Sequence, residues 1–213
     1  METNACPEVL LATTAGIETQ LLVPAKLRGR IHIAETWRPR SCWCGAVHER
    51  FDASVLTIFV GPDPPRRGRY NIRRMTVGLV PHGQREIERS YPLVHASTPR
   101  DFGPWAALFV RHVAGSLLTG LVGIDFVHVQ ALFHSPRRAY DFIRLDPSAP
   151  LGRVNARHGF LYVVGRPDLA LDQIEELAGG VAAAMEPPAR LLVAAAIDEQ
   201  LRAPLEASLV LVR

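Results

Sequence analysis

The sequence predicts an α/β protein: a layer built on a parallel sheet, followed by a smaller α+β unit. Three observations carry this prediction. Short apolar runs such as Val55–Val60 and Phe160–Val164 have the length and composition of buried strands. Segments with apolar residues at helical spacing, the clearest starting at Pro104, lie between such runs. In the second half four strand-like runs, Tyr140–Leu145, Phe160–Val164, Leu191–Ile197 and Ala207–Val212, accompany one long helix, the signature of a small mixed sheet. At 213 residues and 48% hydrophobic composition, the chain suffices to bury a sizeable core.

Taken in order, the first 29 residues are weakly patterned, with one candidate strand at Thr19–Val23 and no assignable role. A strand is expected over Arg30–Ala34, ending in a loop that runs from Trp37 to Gly45. Ala46–Ala53 reads as a turn or two of helix, and Val55–Val60 as a buried strand closed by Gly61-Pro-Asp-Pro-Pro65. The stretch Tyr70–Glu88 is mixed and contains the apolar run Val77–Val80, and Leu93–Ala96 is a further short strand.

The strongest helix follows. Pro104 suits a first helical turn, and Trp105, Leu108, Phe109, Val113 and Leu117 recur on one face. So little of this helix is charged that it should be buried on most sides and lie between the two halves, whose boundary falls within residues 120–136. A second helix, Leu171–Met185, turns Ile174, Leu177, Ala178, Val181 and Met185 to one side. Asp172, Glu175 and Glu176 place negative charge in its first turns, where the helix dipole favours it, and Pro187-Pro188 stops it. It should cover one face of the small sheet.

Composition excludes several classes. The formal charge is +3, and Lys26 is the only lysine, so arginine carries nearly all of the positive charge. Arginines suit bidentate contacts with carboxylates or phosphates, yet no long block of them forms a nucleic-acid arm. Three cysteines, with Cys42 and Cys44 one residue apart, do not make a secreted disulfide framework. The longest uncharged apolar stretch, Val113–Ile124, is too short to span a bilayer, and no leader precedes it, so a cytoplasmic protein without direct membrane insertion is expected.

The order and residues of the second half resemble the C-terminal domain of FtsZ, the bacterial tubulin-like division protein. The matching residues are the strand Phe160–Val164, the helix start Pro167-Asp-Leu-Ala-Leu-Asp172, the strand end Ile197-Asp-Glu199 and the last strand Leu209–Val212. In the first half, Pro64, Gly68, Arg73-Arg74-Met75 and Tyr91-Pro-Leu-Val94 are similar to the family's strand, turn and helix-start motifs. The resemblance implies a truncated Rossmann-like layer followed by a small α+β domain of the FtsZ C-terminal type. The division would be 1–29, an N-terminal segment without an assigned role; 30–120, the nucleotide-domain-like region with its central helix; and 121–213, the C-terminal-like domain.

The loop Leu121–Val129 resembles the family's synergy loop, approximately Leu-Ile-Asn-Val-Asp-Phe-Ala-Asp-Val, whose two aspartates enter the nucleotide site of the next subunit and help polarise the attacking water. Asp125 matches the first aspartate, His128 stands in place of the second, and Gly123 replaces the asparagine. An imidazole does not do a carboxylate's work beside a polyphosphate. No catalytic residue is assigned beyond the candidates Asp125 and His128, and Gly123, Asp125, Phe126 and His128 form the candidate interaction loop. Read structurally, Asp125 would cap the helix Phe126–Phe133 through its carboxylate, worth roughly 1 kcal/mol, and His128 would be a polar residue on a helix surface.

The family's glycine-rich phosphate loop aligns with Arg38-Pro-Arg-Ser-Cys-Trp-Cys44. Proline offers no N–H to an anion and Trp43 fills the space that glycines leave open. No cofactor is expected, and GTP is not expected to bind in the family's manner. The resemblance then implies a pseudo-GTPase that contacts itself or a tubulin-like filament protein in a cell-division-type assembly. The alternative is a nucleotide- or small-anion-handling enzyme with Arg38 and Arg40 as an anion clamp and Asp125 or His128 as base. No metal site is expected: Cys42, Cys44 and His48, with His32 as fourth ligand, are the candidates, and their spacing is poor for zinc. No nucleophile elbow, zinc-protease helix, P-loop or dinucleotide fingerprint is present in the sequence, and the eight histidines are scattered.

Overall fold

A computed structural model describes residues 9–14, 31–37, 56–61, 75–81, 92–96, 102–118, 121–122, 124–134 and 138–213. Nine strands form one sheet: β1 (Val9–Thr14), β2 (Ile31–Trp37), β3 (Leu56–Val60), β4 (Met75–Pro81), β5 (Leu93–Ala96), β6 (Tyr140–Leu145), β7 (His158–Gly165), β8 (Arg190–Ile197) and β9 (Leu205–Val212). Their spatial order is β2-β1-β3-β4-β5-β6-β9-β7-β8. The pairs from β2 to β6 are all parallel, β9 runs antiparallel to both β6 and β7, and β7 pairs parallel with β8. The expected parallel layer and small mixed sheet are both present.

The first-half strands have the composition that this position demands. A strand in a parallel sheet covered on both faces has no solvated side, so its apolar residues run on rather than alternate. Every residue of Leu56–Val60 and of Met75–Val80 is buried. At the end of β3 the chain turns at Gly61, whose φ of 136° is one that L side chains rarely adopt. Its N–H donates to the Leu79 carbonyl, holding the turn against β4.

The N-terminal segment is a correction to the sequence reading. A strand at Val9–Thr14 occupies an interior position, pairing parallel with β2 on one side and β3 on the other. The reason lies in long-range pairing: its partners begin 22 and 47 residues later, at Ile31 and Leu56, and no local turn signal announces them. The candidate strand Thr19–Val23, the helix Ala46–Ala53 and the whole loop after Trp37 lie outside the described residues.

The sheet is continuous through both halves of the chain. β5 pairs in parallel with β6 through Val94–Tyr140, His95–Asp141 and Ala96–Phe142. One buried cluster spans both halves, running from Leu56, Val77 and Val94 to Phe142, Phe160 and Val210. Burial of this kind stabilises by about 1.5–3 kcal/mol for each large side chain fully removed from water.

The central helix packs on that cluster. α1 (Phe102–Val110) runs without a break into a π-helical turn (Arg111–Gly115) and a last α-helical turn (Ser116–Leu118). Ala106, Phe109, Val110 and His112 through Ser116 are all buried, as the uncharged sequence predicts. Ring contacts fix its position: Trp105 and Phe109 both meet Phe142 edge to face, with centroids 5.8 and 5.1 Å apart. Gly115 lies so close to β7 that a Cβ there would sit 2.6 Å from Tyr162 Oη.

α2 (Phe126–Leu132) is short. α3 (Leu171–Ala184) covers the opposite face of the second-half sheet through Ile174, Val181 and, less completely buried, Leu177 and Ala178. The Ala170 N–H at its start is taken up by Gln173 Oε1 at 3.0 Å, and the chain leaves it through Pro187-Pro188.

Candidate functional site

The loop before α2 is anchored to the edge of the sheet. The N–H groups of Leu121 and Val122 both donate to the Ala195 carbonyl, at 2.6 and 3.2 Å, and Ala195 N–H donates back to Val122 at 3.5 Å. Because β8 ends the sheet, this antiparallel bridge satisfies part of an edge that would otherwise be open. Ile124 and Phe126 then turn inward and pack on the core, while Asp125 between them faces solvent.

Helical geometry sorts the residues that follow. Phe126, Val129, Leu132 and Phe133 pack inward, leaving Val127 and His128 on the outer side. Leu121 and Val127 are 60% and 63% exposed, two of the three large hydrophobic side chains that stand out of the surface among the described residues. The exposed side chains of this segment thus include two aliphatic groups, one carboxylate and one imidazole.

Asp125 does not cap α2 through its side chain, contrary to expectation. It sits at the N-cap with extended backbone (φ −67°, ψ 137°), and its main-chain carbonyl accepts the N–H of His128 at 2.9 Å and of Val129 at 3.4 Å. The carboxylate takes no capping bond, and the residue is exposed to solvent. Among the described residues no side-chain bond joins Asp125 to His128. Gly123 lies outside the described residues, as do Arg38, Arg40, Cys42, Cys44 and His48; the His32 side chain is likewise not described. Among the described residues no group of three or more His, Cys, Asp or Glu is arranged to hold a metal ion.

The structure brings out a different histidine. His112, in the π-helical turn, is completely buried, with Nδ1 2.7 Å from Ser208 Oγ on β9. Its ring stands edge-on to Phe142 and Phe160 and tilts against Tyr162, at centroid distances of 5.6, 4.4 and 5.5 Å. Burial lowers its pKa to about 3, so the imidazole is neutral at neutral pH. The signal was present in the sequence: His112 follows Leu108 and Phe109 at helical spacing and therefore belongs to the inward face. Sealed from solvent, it is a structural group and offers no chemistry to a substrate.

Arginine is used as the composition suggests, in ion pairs. Arg111 and Arg144 share Glu206 at 3.1 and 3.7 Å, Arg213 meets Asp141 at 2.7 Å, and Arg157 meets Glu186 at 3.2 Å. The first of these joins the π-helical turn to β9 beside Ser208. Among the described residues no helix is long and apolar enough to cross a membrane.

Scanned against protein-family models the sequence matches none, and a search of curated proteins finds no relative. Comparison with solved structures is more informative. The chain is similar to the empty FtsZ dimer of M. jannaschii, with a TM-score of 0.64 at 14% identity over 97% of this chain and 88% of that one. It is similar to a tryptophan-to-tyrosine FtsZ mutant from the same organism, with a TM-score of 0.67 at 13% identity over 97% and 91%. CetZ from Methanosaeta thermophila matches with a TM-score of 0.57 at 9% identity over 95% and 85%. At such identities the likeness is one of fold, and it extends over nearly the whole chain: this protein has the FtsZ/tubulin-like fold.

Proposed function

We propose that this protein is an FtsZ-fold protein without GTPase activity that works through protein–protein contacts in a filament or cell-division-type assembly. The observation that carries the reading is the exposure of Leu121, Asp125, Val127 and His128 within one short segment. Its aliphatic side chains are exposed, its carboxylate takes no capping bond, and a bridge to β8 anchors its base. Exposed apolar side chains rimmed by polar ones are the usual composition of a contact surface. The partner is a second copy or a tubulin-like filament protein, and one of the structurally similar proteins is itself a dimer of FtsZ. Loss of hydrolysis follows from His128 in the place of a carboxylate and from Pro39 and Trp43 in the place of phosphate-binding glycines.

The test has two arms. In a melting scan with GTP or GDP and magnesium, no shift is expected, whereas a nucleotide at a hundredfold its dissociation constant would add about 2.7 kcal/mol. In sedimentation and light scattering, the pair Leu121→Ser and Val127→Ser should abolish self-association, or co-sedimentation with an FtsZ-type filament, at unchanged melting temperature. A nucleotide shift with phosphate release would overturn the reading in favour of the anion-handling enzyme built on Arg38 and Arg40. Full association of the double variant would remove the proposed surface.

A further inference from the structure

A cavity of about 530 Å³ lies on the α3 face of the sheet, far in sequence from the Asp125 loop. The turn after β6 (residues 146–151) forms one wall, the exposed flank of α3 another, and Pro204 with the start of β9 closes the end. Its size falls within the range of small-ligand pockets, about 300–1,000 Å³. The floor is aliphatic, with Leu151, Leu177, Val181 and Leu205 all contributing.

Charge at this cavity has one sign. Asp146 and Glu176 line it, and no lysine, arginine or histidine does, in a chain whose positive charge is otherwise spread throughout. Among the described residues neither carboxylate is in an ion pair, whereas Asp141, Glu186 and Glu206 are matched with arginines. Asp146 is pre-oriented: its Oδ1 accepts the Ser148 N–H at 2.9 Å and the Ser148 hydroxyl at 2.6 Å. These bonds lower its pKa, keeping the carboxylate ionised.

The wall carries a second, independent feature. Gly180 lines the cavity from the interior of α3, where glycine is less favourable than alanine by roughly 0.5–1 kcal/mol. No neighbour requires it, for a Cβ at Gly180 would meet nothing within 4 Å. Gly180 leaves open the point where a side chain would enter the cavity, as Gly179 beside it leaves open space outside the cavity.

From this geometry we infer that the cavity binds a small amphiphilic cation: an apolar body the size of a ring or short chain, carrying one protonated amine or guanidinium. The apolar part lies on the floor against Leu177 and Val181, and the cation sits at the rim between Asp146 and Glu176. An anion would meet two uncompensated carboxylates, and a wholly apolar ligand would leave them unused.

The probe is 4-phenylbutylamine, titrated into the ¹⁵N-labelled full chain, with 4-phenylbutanol as its uncharged counterpart. Saturable amide shifts are expected at Ser148, Ala149, Leu151, Leu177, Gly180 and Val181, with the alcohol binding about threefold more weakly, the size of an exposed ion-pair contribution. E176Q should weaken the amine by a similar factor. G180L should abolish the shifts while the melting temperature holds or rises, since the helix gains a better former. Scattered shifts, equal affinity for amine and alcohol, full amine affinity in the E176Q variant combined with Asp146→Asn, or undiminished binding to folded G180L would each overturn the inference.

Discussion

The two faces of the second-half sheet are built from alternate residues of the same four strands, yet they are different materials. Toward the central helix point Tyr140 and Phe142 of β6, Phe160 and Tyr162 of β7, and Val210 and Val212 of β9, with His112 among their rings. Toward α3 point Leu161 and Val163 of β7 and Ala207, Leu209 and Leu211 of β9, with no aromatic residue. The first face is closed by ring-on-ring contacts and a buried hydrogen bond to Ser208; the second leaves a cavity at one end. Planar rings with a narrow choice of geometry hold a helix in one register, whereas aliphatic side chains under a single helix leave room. The comparison teaches that this sheet binds the two halves together on one side and keeps a usable surface on the other.

The sharpest break in that comparison is acidity. His112 is neutral when folded, its pKa lowered by burial to about 3, while in the unfolded chain it returns to its ordinary 6.5. Above pH 6.5 both states hold it neutral and its contribution to stability is fully present. As the pH falls from 6.5 toward 3 the unfolded chain binds a proton that the folded one refuses, and stability is lost, up to roughly 4–5 kcal/mol. Denaturant unfolding followed across this range should show the loss, and His112→Gln should remove most of that slope even though it lowers stability at neutral pH. A slope unchanged in the variant would mean that the acid sensitivity resides elsewhere.

Deleting side chains face by face sharpens the contrast. Phe160→Ala, on the closed face, should cost about 3–5 kcal/mol, because the rings around it cannot relax into the void. Val181→Ala, on the wall of the cavity, should cost only about 1.5 kcal/mol, the transfer value of the two lost carbon groups. Equal losses in urea unfolding would show the two faces to be mechanically alike. The smallest effect is a gain: Gly180→Ala should raise stability by about 0.5–1 kcal/mol, measurable as a higher melting temperature. A loss there would mean that the helix needs glycine for packing, contrary to the open space around it.

Legibility in the sequence followed the range of the interactions. β3, β7, β8 and β9 stand out as apolar runs, and α3 as a 3.6-residue pattern ended by two prolines, because burial and helical period are properties of neighbouring residues. The apolar start of β1 was just as short and apolar, but nothing near it in the chain reveals that it lies between β2 and β3. The resemblance marks the Asp125 loop as a candidate site, but whether its carboxylate caps α2 is not legible there: it depends on where the side chain lies once Ile124 and Phe126 are packed on the core. His112 belongs to a helix face that spacing alone identifies, yet its partner Ser208 lies 96 residues away.

By itself, then, the sequence determined the α/β class, most of the strands, both long helices and the place of the Asp125 loop, since each is encoded in local pattern and turn chemistry. Only the tertiary structure decided that a single sheet runs through both halves, that His112 is a neutral tenon beneath three rings, and that Gly180 stands at the mouth of an acidic-rimmed cavity. Those features depend on contacts between residues far apart in the chain, and such contacts exist only once the alternating faces of β6 to β9 have found the two helices that cover them.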